Sequence, residues 1–313
     1  MALGRVLAVG ASGDPGAVFA ALSAAYTVHA DPVETTLWTW LDTADWRLHR
    51  ADLALREERR GRTRELILDR PSAPVISSPV RGISWPGRLD KLPSSPVLEQ
   101  IVGVVGVRAL LPLAEVEARR ILLRLMDGVG KTRVRVSVEQ QRLLAPRRSA
   151  LPLHVVVTAL RGYDRDAQRC VELLIESMAA ETTTMSPTAA ALAAAGHLPS
   201  AAGSKDVVVA PTDPAVRPVA RALLRDVGIV DHTREGAIAD LDTEFLHDLR
   251  SAIRSTRALL TAAGHLLPGR SAIRVERDLC WLDEMTTPLR AVDIALLEIN
   301  GSDGLDVAGL PGL

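Results

Sequence analysis

The 313-residue sequence has little cysteine and little lysine. Cys170 and Cys280 are its two cysteines, and their wide separation predicts neither a disulfide framework nor a metal knuckle. Lysine occurs three times, so arginine supplies nearly all of the 37 basic residues. This bias is typical of a G+C-rich genome and does not by itself indicate phosphate chemistry. Without a disulfide framework, we expect a reducing, cytoplasmic location.

Long apolar runs are also missing. No segment approaches the roughly 18 uninterrupted apolar residues of a membrane span. The apolar start of the chain is broken by Gly10, Gly13 and Pro15 and lacks a basic beginning, so we predict no signal peptide. The formal net charge of -1 argues against a protein whose whole surface binds nucleic acid. Any anion site must therefore be local.

The composition that remains is that of a globular chain with about two domains. In the first half, apolar and β-branched runs predict strands at Thr35–Trp40, Arg64–Asp69, Arg119–Met126, Thr132–Glu139 and Leu153–Leu160. Helices are predicted at Asp14–Ala25 and Asp164–Ala179, with a loop over Pro71–Pro96. Asp127–Lys131 has the composition of a hairpin turn, and the period of two after it places Arg133 and Arg135 on one strand face.

The second half is helical in pattern. Predicted helices cover Ala215–Val227, ended by Gly228, then Asp240–Ala263, Ser271–Met285 and Pro288–Ile299. The fold class is therefore α+β, with an N-terminal antiparallel β domain and a C-terminal helical bundle. We place the β domain at residues 1–180, an Ala/Thr/Ser/Pro-rich linker at 181–204, the bundle at 205–300 and a flexible tail at 301–313, with helix extending over Ala189–Ala195 of the linker.

Two glycine motifs predict turns rather than nucleotide binding. Gly10, Gly13 and Gly16 have the wrong spacing for a dinucleotide fingerprint, and the strands around them are antiparallel. Gly130-Lys131-Thr132 resembles the end of a P-loop, but no helix follows it. No set of nucleophile and base can be assembled from the sequence, and we predict no catalytic residues, metal ligands or cofactor.

The most informative segment runs from His247 to Arg257. His247, Arg250, Arg254 and Arg257 are separated by three, four and three residues, which places them in one stripe along a helix. Like charges at this spacing repel each other, so the stripe is either solvated or neutralised by an anion. From the spacing alone an ordinary exposed basic face is the favoured explanation, and His247 could also cap or pack against a neighbouring helix.

This stripe resembles the signature of the CHAD family, the conserved histidine α-helical domain. Cys280-Trp281-Leu282 and the segment Leu289–Ile294 are similar to two further segments of that family, in the same order. The resemblance implies a basic helical surface that binds inorganic polyphosphate, with Arg274, Arg277 and Arg290 added to the stripe. We expect Trp281 in the core rather than in a stacking platform, and Asp293 as an orienting partner of Arg290.

The N-terminal half resembles the CYTH family of triphosphate tunnel enzymes, through the segments Leu41–Leu48, Leu53–Arg56 and Leu160–Asp164. The resemblance as a whole is to bacterial CYTH–CHAD fusion proteins. It implies a closed antiparallel barrel, a triphosphate-tunnel-like fold, whose lumen holds a triphosphate and divalent metals. Arg56, Arg119, Arg133 and Arg135 are then candidate anion contacts inside the lumen, although solvation at the surface would explain them equally well.

The sequence departs from both families. The E-x-E-x-K motif that tunnel enzymes need for metal binding is missing from the first strand, and the later acidic strand, His154–Thr158, has no carboxylate. Asp69 and Glu58 stand where basic residues are expected. In the helical half, Ser255 replaces an arginine, Ala291 replaces an aspartate, and residues 205–300 have 12 Lys or Arg against 15 Asp or Glu.

The sequence therefore predicts a CYTH-like domain without catalysis joined to a partial CHAD domain that binds polyphosphate or a similar polyanion. The alternatives are a scaffold or remnant without a ligand and, least favoured, a metal-dependent triphosphate hydrolase. The short bundle would leave an apolar face, which favours a homodimer. We expect no membrane partner, no specific nucleic acid and, where polyphosphate granules form, association with them.

Overall fold

The computed structural model describes residues 5–10, 13–70, 73–178, 180–183, 187–197, 209–210, 212–267 and 271–301. The chain divides into two compact units. The first comprises Met1–Trp85, Asp90–Val105 and Leu110–Ala202, and the second comprises Pro86–Leu89, Gly106–Ala109 and Gly203–Leu313. The predicted tail beyond Gly301 lies outside the described residues, and the domain boundaries given above stay predictions.

The strands are β1 (Arg5–Val9), β2 (Thr27–Ala30), β3 (Glu34–Asp42), β4 (Ala54–Arg60), β5 (Thr63–Asp69), β6 (Ile76–Pro79), β7 (Gly87–Arg88), β8 (Ala109–Met126), β9 (Thr132–Ala145), β10 (Ser149–Ala150), β11 (Leu153–Ala159) and β12 (Glu181–Thr182). The α-helices are α1 (Pro15–Ser23), α2 (Arg47–Arg50), α3 (Pro96–Val105), α4 (Asp164–Met178), α5 (Pro187–Ala195), α6 (Val216–Ile238), α7 (Thr243–Ala263) and α8 (Ser271–Gly301). Single 3-10 turns cover Leu89–Lys91 and Gly264–Leu266.

The first unit is built on an antiparallel sheet in the order β12-β1-β11-β9-β8-β3-β4-β5-β6. All five predicted strands are present. The predicted α+β class, an antiparallel β domain followed by helices, is confirmed. The predicted hairpin is also confirmed: β8 and β9 pair on either side of the turn, where the Asp127 carboxylate accepts hydrogen bonds from the backbone of Val129 and Lys131.

Each face of the sheet buries a separate core, because successive side chains of a strand point to opposite faces. On the α1/α4 face, Val134, Val136 and Val138 pack with α1 and α4. On the opposite face, which we call the α5 face, Trp38 and Trp40 pack with residues of β8 and with Ala191 of α5. Alanine side chains let the α5 backbone approach the sheet closely, and the helix forms where Ala189–Ala195 was expected to be helical.

The predicted loop over Pro71–Pro96 is wrong in part. Ile76–Pro79 forms the edge strand β6, paired with β5, and a short strand and a 3-10 turn follow it. Proline closes this strand, which is an edge position that tolerates the missing N–H. The sequence did not predict this strand because its four residues, Ile-Ser-Ser-Pro, do not alternate between apolar and polar side chains.

Two predicted helix boundaries in the second unit are also wrong. α6 continues through Gly228 to Ile238, and a single helix, α8, replaces the two helices predicted on either side of Pro288. Residues of α7 contact α8 on both sides of this proline: Arg250 donates to Asp283 and Thr287, and Arg290 donates to the carbonyl of Thr243. These contacts hold the helix together where the local preference would end it.

Candidate functional site

The helix α7 begins at a buried cap. The Asp242 carboxylate accepts hydrogen bonds from the backbone of Glu244 and Phe245, at 2.9 and 3.1 Å, and from the backbone of Ala109 at 2.7 Å. Burial raises the pKa of Asp242, and the hydrogen bonds and the nearby Arg108 guanidinium oppose that shift. This cap fixes the start of the turn that carries His247 and Arg250.

A cleft of about 350 Å³ lies between α7 and α8. Its walls are formed by His247, Arg250, Arg254, Thr287, Arg290, Ala291 and Ile294. Four of the seven predicted polyphosphate contacts therefore meet in one place. The spacing of three or four residues correctly placed His247, Arg250 and Arg254 on one face of α7. Thr287 also lines the cleft, but nothing in the sequence predicted it there.

Arg250 is committed to the contact between the two helices. Its side chain is 9% exposed. Nη1 donates to the carbonyl of Asp283 at 2.7 Å and to the Thr286 hydroxyl, while Nη2 donates to the Thr287 hydroxyl at 3.0 Å and forms an ion pair with the Asp283 carboxylate. Arg250 therefore contributes positive charge to the cleft but has few donors left for a ligand.

Arg257 and Arg290 are held in a similar way. Arg257 donates to the Asp283 carboxylate at 3.0 Å, so one carboxylate pairs with two arginines of α7. Arg290 donates to the Thr243 carbonyl at 3.1 Å, and Asp293 lies 3.9 Å from its Nη1. This distance agrees with Asp293 as an orienting partner. Sequence reasoning missed Asp283, although it lies on the same face of α8 as Thr287 and Arg290.

Arg254 and His247 are the less constrained polar side chains of the cleft. Arg254 is exposed and His247 is half-buried. Within the part of the chain that the structure describes, neither has a hydrogen-bond or ion-pair partner. Both residues line the same cleft, which makes them the candidates to donate hydrogen bonds to a bound anion.

Arg274 and Arg277 lie elsewhere on the surface. They are 80% and 76% exposed and contact Asp278, and neither lines the cleft. At about 100° per residue they fall on the side of α8 opposite Arg290. Their assignment to the same anion site as Arg250 and Arg254 is therefore not supported by the geometry.

Trp281 is not a core residue, so that prediction is wrong. It is 62% exposed and forms an apolar stripe with Met285, Leu289 and Val292, which are 58–59% exposed. The stripe lies away from the side of α8 that packs on α7, and this is why the tryptophan is not buried. The predicted homodimer stays a prediction, with this stripe as the surface it would use.

In the β domain, the motif at Asp42–Leu48 builds a turn. The buried Asp42 carboxylate accepts hydrogen bonds from the backbone of Thr43, Leu48 and His49, at 2.7, 3.0 and 2.9 Å. Burial raises the pKa of Asp42, and these three donors oppose the shift. The residues that resemble the tunnel family here therefore have a structural role.

The candidate lumen arginines do not form one cluster. Arg56 lies on the α5 face, with its guanidinium carbon 5.0 and 5.3 Å from the Trp38 and Trp40 rings, and it forms ion pairs with Glu58 and Asp69. Its two partners are the residues that stand where basic side chains were expected. The charge of Arg56 is thus neutralised within the domain.

The other three arginines differ in their surroundings. Arg133 contacts the Tyr163 ring and lies 3.5 Å from the Asp127 carboxylate, whereas Arg135 is exposed. Arg119 follows Ala118 on β8, and the Ala118 side chain belongs to the core of the α5 face. Successive side chains of a strand point to opposite faces, so Arg119 lies on the opposite face of the sheet from Arg56. The structure therefore separates Arg119 from the other candidates. Among the described residues, no group of three or more His, Cys, Asp or Glu side chains could hold a metal ion.

The helical half is similar to a known protein family. Residues 221–310 match the CHAD domain family. The resemblance of the C-terminal helices to CHAD domains is therefore confirmed, and the CHAD match includes every residue that lines the cleft. No helix in the described part of the chain is long and apolar enough to cross a membrane.

Solved structures with some likeness to this chain include the following three proteins. A protein from Bacillus halodurans described as an adenylate cyclase is 10% identical, with a TM-score of 0.41, covering 59% of this chain and 94% of its own. An adenylyl cyclase homologue from Hippeastrum, described as having a dominant triphosphatase activity, is 17% identical, with a TM-score of 0.38, covering 63% and 97%. A protein from Pyrococcus horikoshii is 11% identical, with a TM-score of 0.35, covering 60% and 95%. A search of curated protein sequences found no match to the chain.

Proposed function

We propose that this protein binds inorganic polyphosphate, or another phosphate-rich polyanion, in the cleft between α7 and α8 and does not hydrolyse it. The observation that carries the proposal is the meeting of His247, Arg250, Arg254 and Arg290 in one cleft within the CHAD match. Guanidinium groups suit phosphate because they donate paired hydrogen bonds in a fixed plane.

The four cations have different roles in this proposal. Arg254 and His247 donate directly to phosphate oxygens, because both residues line the cleft and neither has a hydrogen-bond or ion-pair partner among the described residues. Arg250 and Arg290 hold the cleft open and add positive charge, since their own donors are bound to α8 and to the start of α7.

The β domain supports the non-catalytic part of the proposal through the residues it does have. Arg56 is paired with Glu58 and Asp69, and the two tryptophans of the α5 face are buried under α5. Hydrolysis of a triphosphate by this fold would need carboxylates placed to hold divalent metal. The Glu58 and Asp69 carboxylates are both paired with Arg56.

The test is a calorimetric titration of the full chain with long-chain polyphosphate at two salt concentrations. Arg254→Ala is expected to weaken binding at least tenfold, because it removes the exposed guanidinium without touching the helix contact. Arg274→Ala is the matched control, since it removes an equal charge from α8 outside the cleft, and it should leave the affinity within about twofold.

Three results would contradict the proposal. Absence of binding at low salt would favour a scaffold or remnant without a ligand. Equal losses in Arg254→Ala and Arg274→Ala would show a diffuse surface interaction instead of binding in the cleft. Release of phosphate from polyphosphate or triphosphate in the presence of Mg²⁺ or Mn²⁺ would establish the hydrolase that we argue against.

A further inference from the structure

The wall of the cleft contributed by α8 is partly apolar. Ala291 and Ile294 line it together with the Thr287 side chain, and Ile294 is 44% exposed. Ala291 is the position where the resembling segment has an aspartate. The cleft is therefore cationic on the α7 side and apolar on part of the α8 side.

An inorganic phosphate chain makes use only of the cationic side of such a cleft. It presents charged oxygens in every direction, and oxygens placed against Ala291 and Ile294 would lose water without gaining a hydrogen-bond donor. A ligand with one anionic end and one apolar end would satisfy both sides. Its apolar end would in turn remove the exposed Ile294 side chain from water.

We propose that the cleft also accepts a phosphate monoester with a small apolar or aromatic ester group. The phosphate lies at Arg254 and His247, and the ester group lies against Ala291 and Ile294. This inference rests on the proposed phosphate site and adds a second class of ligand to it.

The size and the donors of the cleft agree with this ligand. A volume of about 350 Å³ lies at the lower end of the range of small-molecule pockets, which is roughly 300–1,000 Å³. Since Arg250 is bound to Asp283, Thr286 and Thr287, the free donors at Arg254 and His247 suit a single phosphate group. A single phosphate leaves the rest of the cleft to the ester group.

The experiment compares phenyl phosphate with methyl phosphate, which carries the same charge, by calorimetry on the full chain. Phenyl phosphate is expected to bind about tenfold more tightly, because its ring covers Ile294. The variant Ile294→Thr should reduce this preference to about twofold or less while methyl phosphate binds as before. Ile273→Thr, on α8 outside the cleft and 73% exposed, is the matched control and should keep the preference.

The outcomes separate the two proposals. If polyphosphate binds but phenyl and methyl phosphate have equal affinities, the monoester site is wrong and the polyphosphate site stands. A preference for phenyl phosphate that survives in Ile294→Thr would place the ring elsewhere and overturn the assignment. If no phosphate compound binds, polyphosphate included, both proposals fail.

Discussion

Arg250 and Arg254 lie one helical turn apart on α7, and their surroundings differ. Arg250 is buried and contacts Asp283, Thr286 and Thr287, whereas Arg254 is exposed. The periodicity of the sequence places both on the same face, but it contains no information about which guanidinium the neighbouring helix binds. That part of the site becomes visible only when α8 is in place.

Replacing each arginine by alanine should separate these roles. Arg250→Ala leaves Thr286, Thr287 and part of Asp283 without their donor, so we expect a loss of about 2–4 kcal/mol in the free energy of unfolding. Arg254→Ala should change it by less than about 0.5 kcal/mol, as for other exposed side chains. Urea unfolding followed by circular dichroism measures both. Equal effects would contradict the assigned roles.

Glu139 gives a second prediction at the residue scale. Burial raises its pKa above the ordinary 4.5, while Gln141 Nε2 donates to its carboxyl group at 2.5 Å. The folded chain therefore holds this proton at pH values where the unfolded chain has lost it. The stability it contributes is present below the ordinary carboxyl pKa and is lost as the pH rises through the raised value.

Glu139→Gln should remove this dependence, because the amide oxygen still accepts from Gln141 and carries no charge. We expect the variant and the parent to unfold at similar urea concentrations near about pH 4, and the variant to be the more stable at about pH 8. Glu99→Gln, at an exposed position of α3, serves as the control and should track the parent throughout. A parent that is the more stable at the higher pH would refute the argument.

At the scale of the element, α6 contains two glycines with different environments. A Cβ atom at Gly236 would lie 2.4 Å from the Phe245 ring of α7, whereas one at Gly228 would meet no atom within 4 Å. Gly236 therefore lets α6 and α7 approach closely. Gly228 weakens the helix without such a role.

Alanine at each position should act in opposite directions. Gly236→Ala is expected to destabilise the helices by about 1–3 kcal/mol through overpacking against Phe245. Gly228→Ala should stabilise them by about 0.5–1 kcal/mol, because alanine favours the helix. Thermal unfolding of the two variants beside the parent checks the signs, and destabilisation by both would show that Gly228 also has a packing role.

Elements of this fold could be predicted where pattern and packing agree. The strands around Thr35–Trp40 and Thr132–Glu139 were predicted because their alternation matches two buried faces. The boundaries at Gly228 and Pro288 could not be predicted, since both residues favour a helix end locally and contacts from α7 outweigh that preference.

At the scale of the whole molecule, the net charge predicts that the proposed anion site is confined to the cleft. The chain has a formal net charge of -1, and residues 205–300 have more acidic than basic residues. Long-range attraction of a polyanion is therefore weak. The counterions released on binding should reflect the few cations of the cleft.

The salt dependence of polyphosphate binding tests this point. With about two donating cations, the logarithm of the association constant should fall with the logarithm of salt concentration with a slope of about -1 to -2. A slope of about -6 or steeper would show that many surface arginines take part. Measurement over a range of salt concentrations at constant pH, with Arg274→Ala as the comparison, distinguishes the two.

Asp283 has a consequence for the way the cleft meets its ligand. Because the Asp283 carboxylate pairs with both Arg250 and Arg257, contacts within the chain hold α7 and α8 in the arrangement that forms the cleft. The entropic cost of ordering these side chains therefore arises during folding and is not added when a ligand binds. Binding should therefore be rigid-body in character, with a small heat-capacity change and no gain in helix content when phosphate is added.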